Sequence, residues 1–317
     1  MPSPPLQQLN RRNLPMFKTR VKGRYTVTHL KATGEVLAQY TFDNLITNAG
    51  LDWICAMNTS DLFSQALAVS TSTADPNPAA PSLPEEVRRT TSYAPNGDVT
   101  SGLDGEWIYW HKRWRFPIGT LAGQVLATVG IVAQSEVGFE SNTGAKIPAG
   151  TPLSYTRIKD AAGQPTTLVV QADESLDVQY ELRSKAVAMA EAKFVISGVE
   201  RTIRLTPLPF ANRRNLYGER YIFYNESPRI DGKNASGADV QDGQWVKLYP
   251  RYTRGTYKGQ LMLRATVDNG NMPGGITGCK DLKIYNGRNY ALTIDPPVVK
   301  NNTQEFSITM EFSVARA

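Results

Sequence analysis

The sequence has only two cysteines, Cys55 and Cys279, and two histidines, His29 and His111. Two cysteines cannot form a disulfide framework or a cysteine-based zinc site, so we expect two buried free thiols, with a single bridge as the alternative. Two histidines make a catalytic triad or a histidine-rich metal centre a poor expectation. The sequence therefore predicts no metal and no cofactor.

The chain also lacks a long hydrophobic run, and its start does not resemble a secretory leader. No apolar segment approaches the roughly 18 to 20 residues that cross a bilayer, and prolines and arginines stand near the start in place of an apolar leader region. Apolar residues make up 41% of the chain, which is typical of a globular protein. We expect a soluble protein that stays in a reducing cytosol and does not insert into a membrane.

Motifs for catalysis are missing as well. Residues 119–124 lack the lysine of a phosphate-binding loop, and no Gly-x-Ser-x-Gly segment occurs. The adjacent acids Asp173 and Glu174 lie in a predicted turn, where we expect solvated carboxylates and not a glycosidase pair. The sequence therefore predicts a protein that is not an enzyme.

Negative charge is absent from the start of the chain. Residues 1–24 hold six of the 35 basic residues and no acid, so the rest of the chain carries 29 basic and 29 acidic residues. We predict that residues 1–20 form an extended basic arm that contacts an acidic protein surface, with a solvated lead-in as the alternative. Nucleic acid is not expected as a partner, because aromatic residues for stacking are sparse. The arm supplies four predicted subunit-interface residues: Arg11, Arg12, Lys18 and Arg20.

Alternation of apolar and polar residues indicates β-strands along the chain. A hairpin is predicted over residues 21–40, and a short helix over 51–57 with Asn48 as its cap. Loops are predicted over 75–84 and 138–152, and 87–105 is expected to be polar and turn-rich. Further strands are predicted over 62–69, 107–116, 125–132, 153–159, 166–170 and 176–183.

Three pairs of segments recur in the same order in the two halves. Residues 168–183 and 298–313 both place an apolar strand, a polar turn and an alternating strand. Duplication is one explanation, and coincidence among similar strands is the other. We predict two tandem antiparallel β-sandwich domains of jelly-roll type, residues 21–185 and 186–317, with a helical or linker-like piece at 184–192. The second pair of segments supplies four predicted turn residues, Asn44 and Gly50 with their counterparts Asn212 and Gly218, and the third pair is 119–124 with 255–260.

Residues 107–116 hold the densest aromatic cluster of the chain. Alternation places Trp110 and Trp114 on one face of a strand, and Tyr109 and Arg113 on the other. We expect Trp114 in the core. Trp110 and Arg113 are predicted at a subunit contact, because aromatic residues and arginine dominate binding hot spots. A sugar-stacking patch is the alternative.

Three segments of the first half follow the pattern of a known family. Residues 42–51 read FDNLITNAGL and residues 135–139 read SEVGF. Residues 153–183 place a strand before Asp-x-x-Gly-x-Pro and a final strand pair, with Ser154, Arg157, Asp160, Gly163 and Pro165. Over residues 20–183 the chain resembles a module of tailed-bacteriophage virion proteins found in tail-tip, baseplate and fibre-attachment components. Residues 51–115 depart from that module through proline-rich and aromatic insertions.

The resemblance implies a bacteriophage virion structural protein, most simply a tail or baseplate component, assembled in the host bacterial cytoplasm. Its expected partners are other copies of itself and other virion proteins. A receptor- or glycan-binding tail-fibre protein, with a host-surface glycan as partner, is one alternative. A head or collar decoration protein is another. The resemblance carries over no catalytic residues.

Overall fold

The computed structural model of the protein is mainly β. It describes residues 16–55, 65–97, 100–138, 146–185, 190–196, 198–207, 229–232, 247–265, 272–283, 289–301 and 303–317. Within these ranges a single helix accompanies the strands. In chain order the elements are β1 (Met16–Lys31), β2 (Val36–Ile46), α1 (Asn48–Cys55), β3 (Ala66–Ser70), β4 (Glu86–Thr90), β5 (Thr100–Asp104), β6 (Trp107–Phe116), β7 (Gln124–Leu126), β8 (Thr128–Val132), β9 (Val137–Gly138), β10 (Lys146–Ile147), β11 (Pro152–Arg157), β12 (Leu168–Val170), β13 (Glu174–Lys185), β14 (Ala190–Ile196), β15 (Val199–Pro207), β16 (Arg229–Gly232), β17 (Lys247–Thr253), β18 (Lys258–Ala265), β19 (Met272–Lys283), β20 (Asn289–Lys300) and β21 (Phe306–Arg316).

The strand β1 pairs with three other strands of the largest sheet. Residues 21–31 pair antiparallel with β13, and residues 23–30 pair antiparallel with β2. Residues 16–21 pair in parallel with β21 at the other end of the chain. The predicted opening hairpin is confirmed, and the last five residues of the predicted arm belong to a strand of the body.

Eight strands of the first half close into an antiparallel ring. Their order is β1-β2-β11-β8-β3-β4-β6-β13. Residues 90–97 continue from β4 and make the join to β6, where the Arg115 N–H donates to the Ser92 carbonyl at 3.0 Å and the Ala94 N–H donates to the Arg113 carbonyl at 3.1 Å. β5 pairs with the other part of β6. The ring therefore encloses one hydrophobic core.

Large side chains fill the interior of this ring. Trp114, which the sequence predicted in the core, is fully buried, as are Tyr25 and Tyr180 on the strands and Trp53 on α1. Val314 of β21 belongs to the same core cluster. Burying a large apolar side chain contributes about 1.5–3 kcal/mol. The core of the first half is thus completed by the last strand of the chain.

The proline-rich segment 75–84, predicted as a loop, packs on the outside of the ring. Its Ala80 and Leu83 are buried in a second cluster with Ala66, Val132 and Tyr155. β3, β8 and the first five residues of β11 are therefore buried on both faces. Burial on two faces explains why their sequences are nearly continuous apolar runs and not alternating ones.

The structure corrects three expectations about elements. The polar, turn-rich segment 87–105 contains most of β4 and all of β5. The helix starts at Asn48, and its cap is Thr47, whose Oγ1 accepts the Gly50 N–H at 3.0 Å, so the assignment of the cap to Asn48 is wrong. The segment 184–192 contains the end of β13 and the start of β14, and the described residues there are strand where a helical or linker-like piece was expected.

The second half contributes to two sheets. β17, β18 and β21 extend the large sheet beside β1, and β14, β15, β20, β19 and β16 form a separate five-stranded sheet. β14 and β15 form an antiparallel hairpin at one edge of the five-stranded sheet. Asn212 and Gly218 lie outside the described residues.

Candidate interaction surface

The segment of residues 42–51 joins β2 and α1 to β11. Asn44 at the end of β2 donates through Nδ2 to the Ser154 hydroxyl of β11, 110 residues further along the chain. The Thr47 N–H donates to the Leu153 carbonyl at 3.1 Å. A Cβ atom at Gly50 would lie only 2.0 Å from the same Leu153 oxygen. Glycine is therefore required at this position because α1 approaches the backbone of β11 so closely.

A buried tyrosine links this joint to the opposite wall of the ring. The Tyr25 hydroxyl donates to the Ser154 carbonyl at 3.1 Å and accepts the Ile131 N–H at 3.0 Å. Its ring lies 4.9 Å from the ring of Tyr180, centroid to centroid. Burial raises the pKa of Tyr180 to about 12, so its hydroxyl stays protonated at neutral pH. These groups hold two sides of the ring at a fixed separation.

The Asp-x-x-Gly-x-Pro motif forms a tight turn after β11. The Asp160 carboxylate accepts the backbone N–H groups of Ala162 and Gln164, each at 2.9 Å. Gly163 has a φ of +79°, a conformation that glycine adopts without strain. The turn returns the chain to the strand pair β12 and β13. In the SEVGF segment, Val137 and Gly138 form β9 opposite β10.

The recurring segments 168–183 and 298–313 share the geometry of their turns. The Glu174 N–H donates to the Gln171 carbonyl at 3.2 Å, and the Glu174 carboxylate accepts the Gln171 N–H at 2.6 Å. In the second half, Gln304 and Asn301 make the same two bonds, at 3.3 and 3.2 Å. In both halves the strands before and after the turn belong to different sheets. In the first half β12 pairs with β7, and β13 pairs with β1. In the second half β20 pairs with β15, and β21 pairs with β18.

One face of the sheet β5-β6-β13-β1-β2 points away from the core, and we call it the polar face. Its acids are paired with cations. Arg115 binds Asp177 through two nitrogens at 2.6 and 2.8 Å, and Arg24 lies 3.1 Å from Asp43. Arg183 crosses from β13 to Asp104 of β5 at 2.9 Å. Three further acidic contacts lie on this face or at its rim: Arg183 with Glu181, His111 with Glu181, and Lys185 with Glu106.

Glu181 lies at the centre of this ionic network. Burial favours its neutral form, but its contacts with His111 and Arg183 outweigh burial and lower the pKa of the carboxylate. The Nδ1 atom of His111 is 3.7 Å from Glu181, and Nε2 bonds Thr100 on β5. The cross-strand contacts therefore fasten the three strands β5, β6 and β13 on their outer side.

Among the described residues of this face, four cations have no carboxylate partner, Arg113 on β6 and three that lie together on β1. Lys18 and Arg20 are exposed, Lys22 is half-buried, and all three point outward, because Thr19 and Val21 between them are buried. In the described part of the chain none of the three makes an ion pair. Arg113 is exposed and also has no ionic partner there. Arg24, the next outward residue, is paired with Asp43.

The structure places the predicted interface residues in different environments. Lys18, Arg20 and Arg113 are on the surface, as an interface requires. Trp110 is 5% exposed and lies in the core, so little of its ring is available to a partner. Arg11 and Arg12 lie outside the described residues. Lys22 was not singled out from the sequence. The signal that relates it to Lys18 and Arg20 is that the three are alternate residues of one strand, which places them on one face.

Two aromatic side chains lie half-buried on the polar face. The predicted alternation along β6 is confirmed, since Trp110 and Trp114 point inward and Tyr109 outward. The Lys22 ammonium lies 4.5 Å from the centre of the Trp107 ring, and the Arg183 guanidinium lies 5.9 Å from that of Tyr109. The Tyr109 ring also lies over Gly102 of the neighbouring strand, within 2.4 Å of where a Cβ would stand.

Comparisons of the chain with protein-family models, with curated proteins and with solved structures gave no match. Among the described residues, no helix has the length and apolar character to cross a membrane. The same residues contain no group of three or more histidine, cysteine, aspartate or glutamate side chains placed to hold a metal ion. Cys55 is a free buried thiol, and burial raises its pKa.

Proposed function

We propose that the chain is a structural protein of a tailed-bacteriophage virion, a tail or baseplate component that assembles with its own copies and docks neighbouring subunits. The observation that carries the proposal is the contact between two of the resembling segments. Asn44 of the first segment bonds Ser154 of the third, although 110 residues separate them. A shared structural module predicts such a contact between its segments, and here it lies where β2 pairs with β11.

The same proposal includes a finer account of the fold, with two tandem β-sandwich domains of jelly-roll type, residues 21–185 and 186–317. The shared turn at 171–174 and 301–304 supports a duplicated origin. The two units differ in their opening strands. β1 pairs with the closing strand β13 of its own unit. Residues 16–21 of β1 also pair in parallel with β21 of the second unit. The first unit thus completes a sheet of the second.

The polar face and the basic residues of β1 are the docking surface in this proposal. Side chains already fastened by ion pairs lose little conformational freedom on binding, which lowers the cost of association. Repeated contacts between identical subunits in a symmetric assembly would multiply a modest affinity per site. The proposal assigns the chain no catalytic role.

Recognition of a host-surface glycan is the alternative function, and the outward Tyr109 is the feature that favours it. Because Trp110 is buried, its replacement would test folding and not glycan contact. Tyr109→Ala is the suitable variant for a glycan array. Binding of the natural protein to a defined glycan, lost in this variant, would replace the docking proposal with a receptor-binding one.

The experiment that tests the docking proposal is incorporation into particles. Bacteria would be infected with a phage that carries this gene and supplied in trans with tagged natural protein or a tagged Arg113→Gln variant. We expect the natural protein in purified particles and a reduced amount of the variant, with Arg88→Gln, another exposed cation outside the polar face, as the matched control. Absence of the natural protein from particles would contradict the proposal.

A further inference from the structure

The outward side chains of β1 form a line of positive charge with a fixed repeat. Lys18, Arg20 and Lys22 are alternate residues of one continuous strand. We call these three residues the basic stripe. A strand rises about 3.3 Å per residue, so successive cations stand about 6.6 Å apart. The stripe ends at Arg24, whose charge is matched by Asp43.

We propose that the basic stripe binds an extended acidic protein segment in which every second residue is aspartate or glutamate. Such a segment has the same repeat of about 6.6 Å, so each carboxylate can face one cation when the segment runs along β1. The inference rests on the proposed function, because it names the kind of neighbouring subunit that would dock there. The charges of the stripe are available because no carboxylate of the described residues pairs with them.

The surroundings of the stripe favour a protein segment over a nucleic acid or a glycan. Nucleic acids and sugars use exposed aromatic faces for stacking. Lys22 occupies one face of Trp107, while Tyr109 lies over Gly102 and beside Arg183. Each ring therefore already has a partner within the sheet, and both are half-buried, which leaves only part of each ring for stacking. A flat strand face with alternating cations remains, and it suits the face of another extended strand.

The cations of the stripe are anchored to the body. Thr19, between Lys18 and Arg20, donates its hydroxyl to the Lys185 carbonyl at 2.7 Å, and the backbone of residues 16–21 pairs with β21. A partner therefore meets charges on an ordered backbone, and only the ends of the three side chains must be immobilised. Salt must weaken binding, since the contact is made between exposed charges.

The test uses the full chain and two fluorescent twelve-residue peptides of equal charge. One alternates glutamate and threonine, and the other alternates pairs of glutamates with pairs of threonines, which places same-face carboxylates about 13 Å apart on a strand. Anisotropy titrations at low and high salt give the affinities. We expect the alternating peptide to bind about threefold or more tightly than the paired peptide at low salt, and the difference to shrink at high salt.

Two triple variants separate the stripe from net charge. Lys18→Gln, Arg20→Gln and Lys22→Gln together should weaken the alternating peptide about tenfold, since exposed ion pairs contribute modestly and three are lost. The matched control, which also removes three positive charges, should change affinity less than about twofold, and circular dichroism checks that both variants fold. The control carries Lys31→Gln, Arg88→Gln and Lys159→Gln.

Three results would overturn the inference: equal binding of the two peptides, equal losses in the two triple variants, or tighter binding of a single-stranded oligodeoxynucleotide or of heparin than of the alternating peptide. These results are distinct from a failure of the proposed function. A chain that binds the alternating peptide but is absent from particles would keep the stripe and remove the virion role. A chain present in particles that fails the peptide test would lose only the stripe.

Discussion

Replacing Gly50 by alanine tests the joint between α1 and β11, and helix propensity and packing predict opposite signs. Alanine is favoured over glycine inside a helix by about 1 kcal/mol. In the structure, however, the new Cβ would lie 2.0 Å from the Leu153 carbonyl oxygen and 2.9 Å from its carbon. Backbone atoms cannot move aside as a flexible side chain can, so helix or strand must shift by more than about 1 Å.

The size of the effect follows from what such a shift disturbs. Overpacking in a core costs about 1–3 kcal/mol. The Leu153 carbonyl also accepts the Thr47 N–H at 3.1 Å, and weakening this bond costs about 1 kcal/mol more. After the gain from propensity is subtracted, we expect Gly50→Ala to lower the free energy of unfolding by about 1–3 kcal/mol.

Urea unfolding followed by tryptophan fluorescence measures this change, because Trp53 and Trp114 are buried in the same core. Gly34→Ala is the matched control: Gly34 has a φ of +87° and no atom within 4 Å of a new Cβ. It should lose only about 1 kcal/mol, from backbone strain. A Gly50→Ala protein as stable as the natural one, or more stable, would refute the close contact between α1 and β11.

Three further predictions concern the core, the ionic network and the start of the chain. Tyr25→Phe should lower the free energy of unfolding by about 1–3 kcal/mol, because the Ile131 N–H and the Ser154 carbonyl lose their buried partner; an unchanged urea midpoint would contradict this. The pKa of Glu181 is lowered in the folded chain. The ionised carboxylate therefore stabilises the folded chain fully above the unfolded pKa of about 4.3, and this stabilisation is lost as the pH falls through the folded pKa. Glu181→Gln should flatten the decline in stability between pH 7 and pH 3, and an identical decline would refute the network. Removal of residues 1–20 should lower the melting temperature more than removal of residues 1–15, because residues 16–20 pair with β21; equal melting temperatures would show that this pairing adds nothing.

The sequence predicts best those strands whose two faces differ. β6 was placed at its observed bounds because large aromatic residues alternate with charged ones, and burial follows the same alternation. β4 and β5 were not predicted because both strands are short. In addition, β4 carries mostly polar side chains and has no fully buried residue. Their place is set by the strands β3 and β6 beside them, and a local pattern cannot show that.

Long-range pairing explains most of what the sequence could not show about the candidate surface. The parallel contact of residues 16–21 with β21 joins the two ends of the chain. It turns the final part of a predicted arm into an ordered strand with Lys18 and Arg20 on one side. The burial of Trp110 likewise depends on β13 and the rest of the ring. Asn44 and Gly50 could be identified as turn residues, but their partners Ser154 and Leu153 become apparent only when β11 is in place.

The central proposal is that the chain is a structural component of a phage particle. Its copy number in purified particles tests this proposal most directly. Particles from cells infected with a phage that carries this gene would be purified by density gradient, and the chain would be quantified by mass spectrometry with isotope-labelled standards. We predict a fixed number of copies per particle, a multiple of the symmetry of the tail or baseplate ring, that survives a high-salt wash. A chain found in the infected cell but absent from particles, or present in variable amounts that the wash removes, would contradict the account.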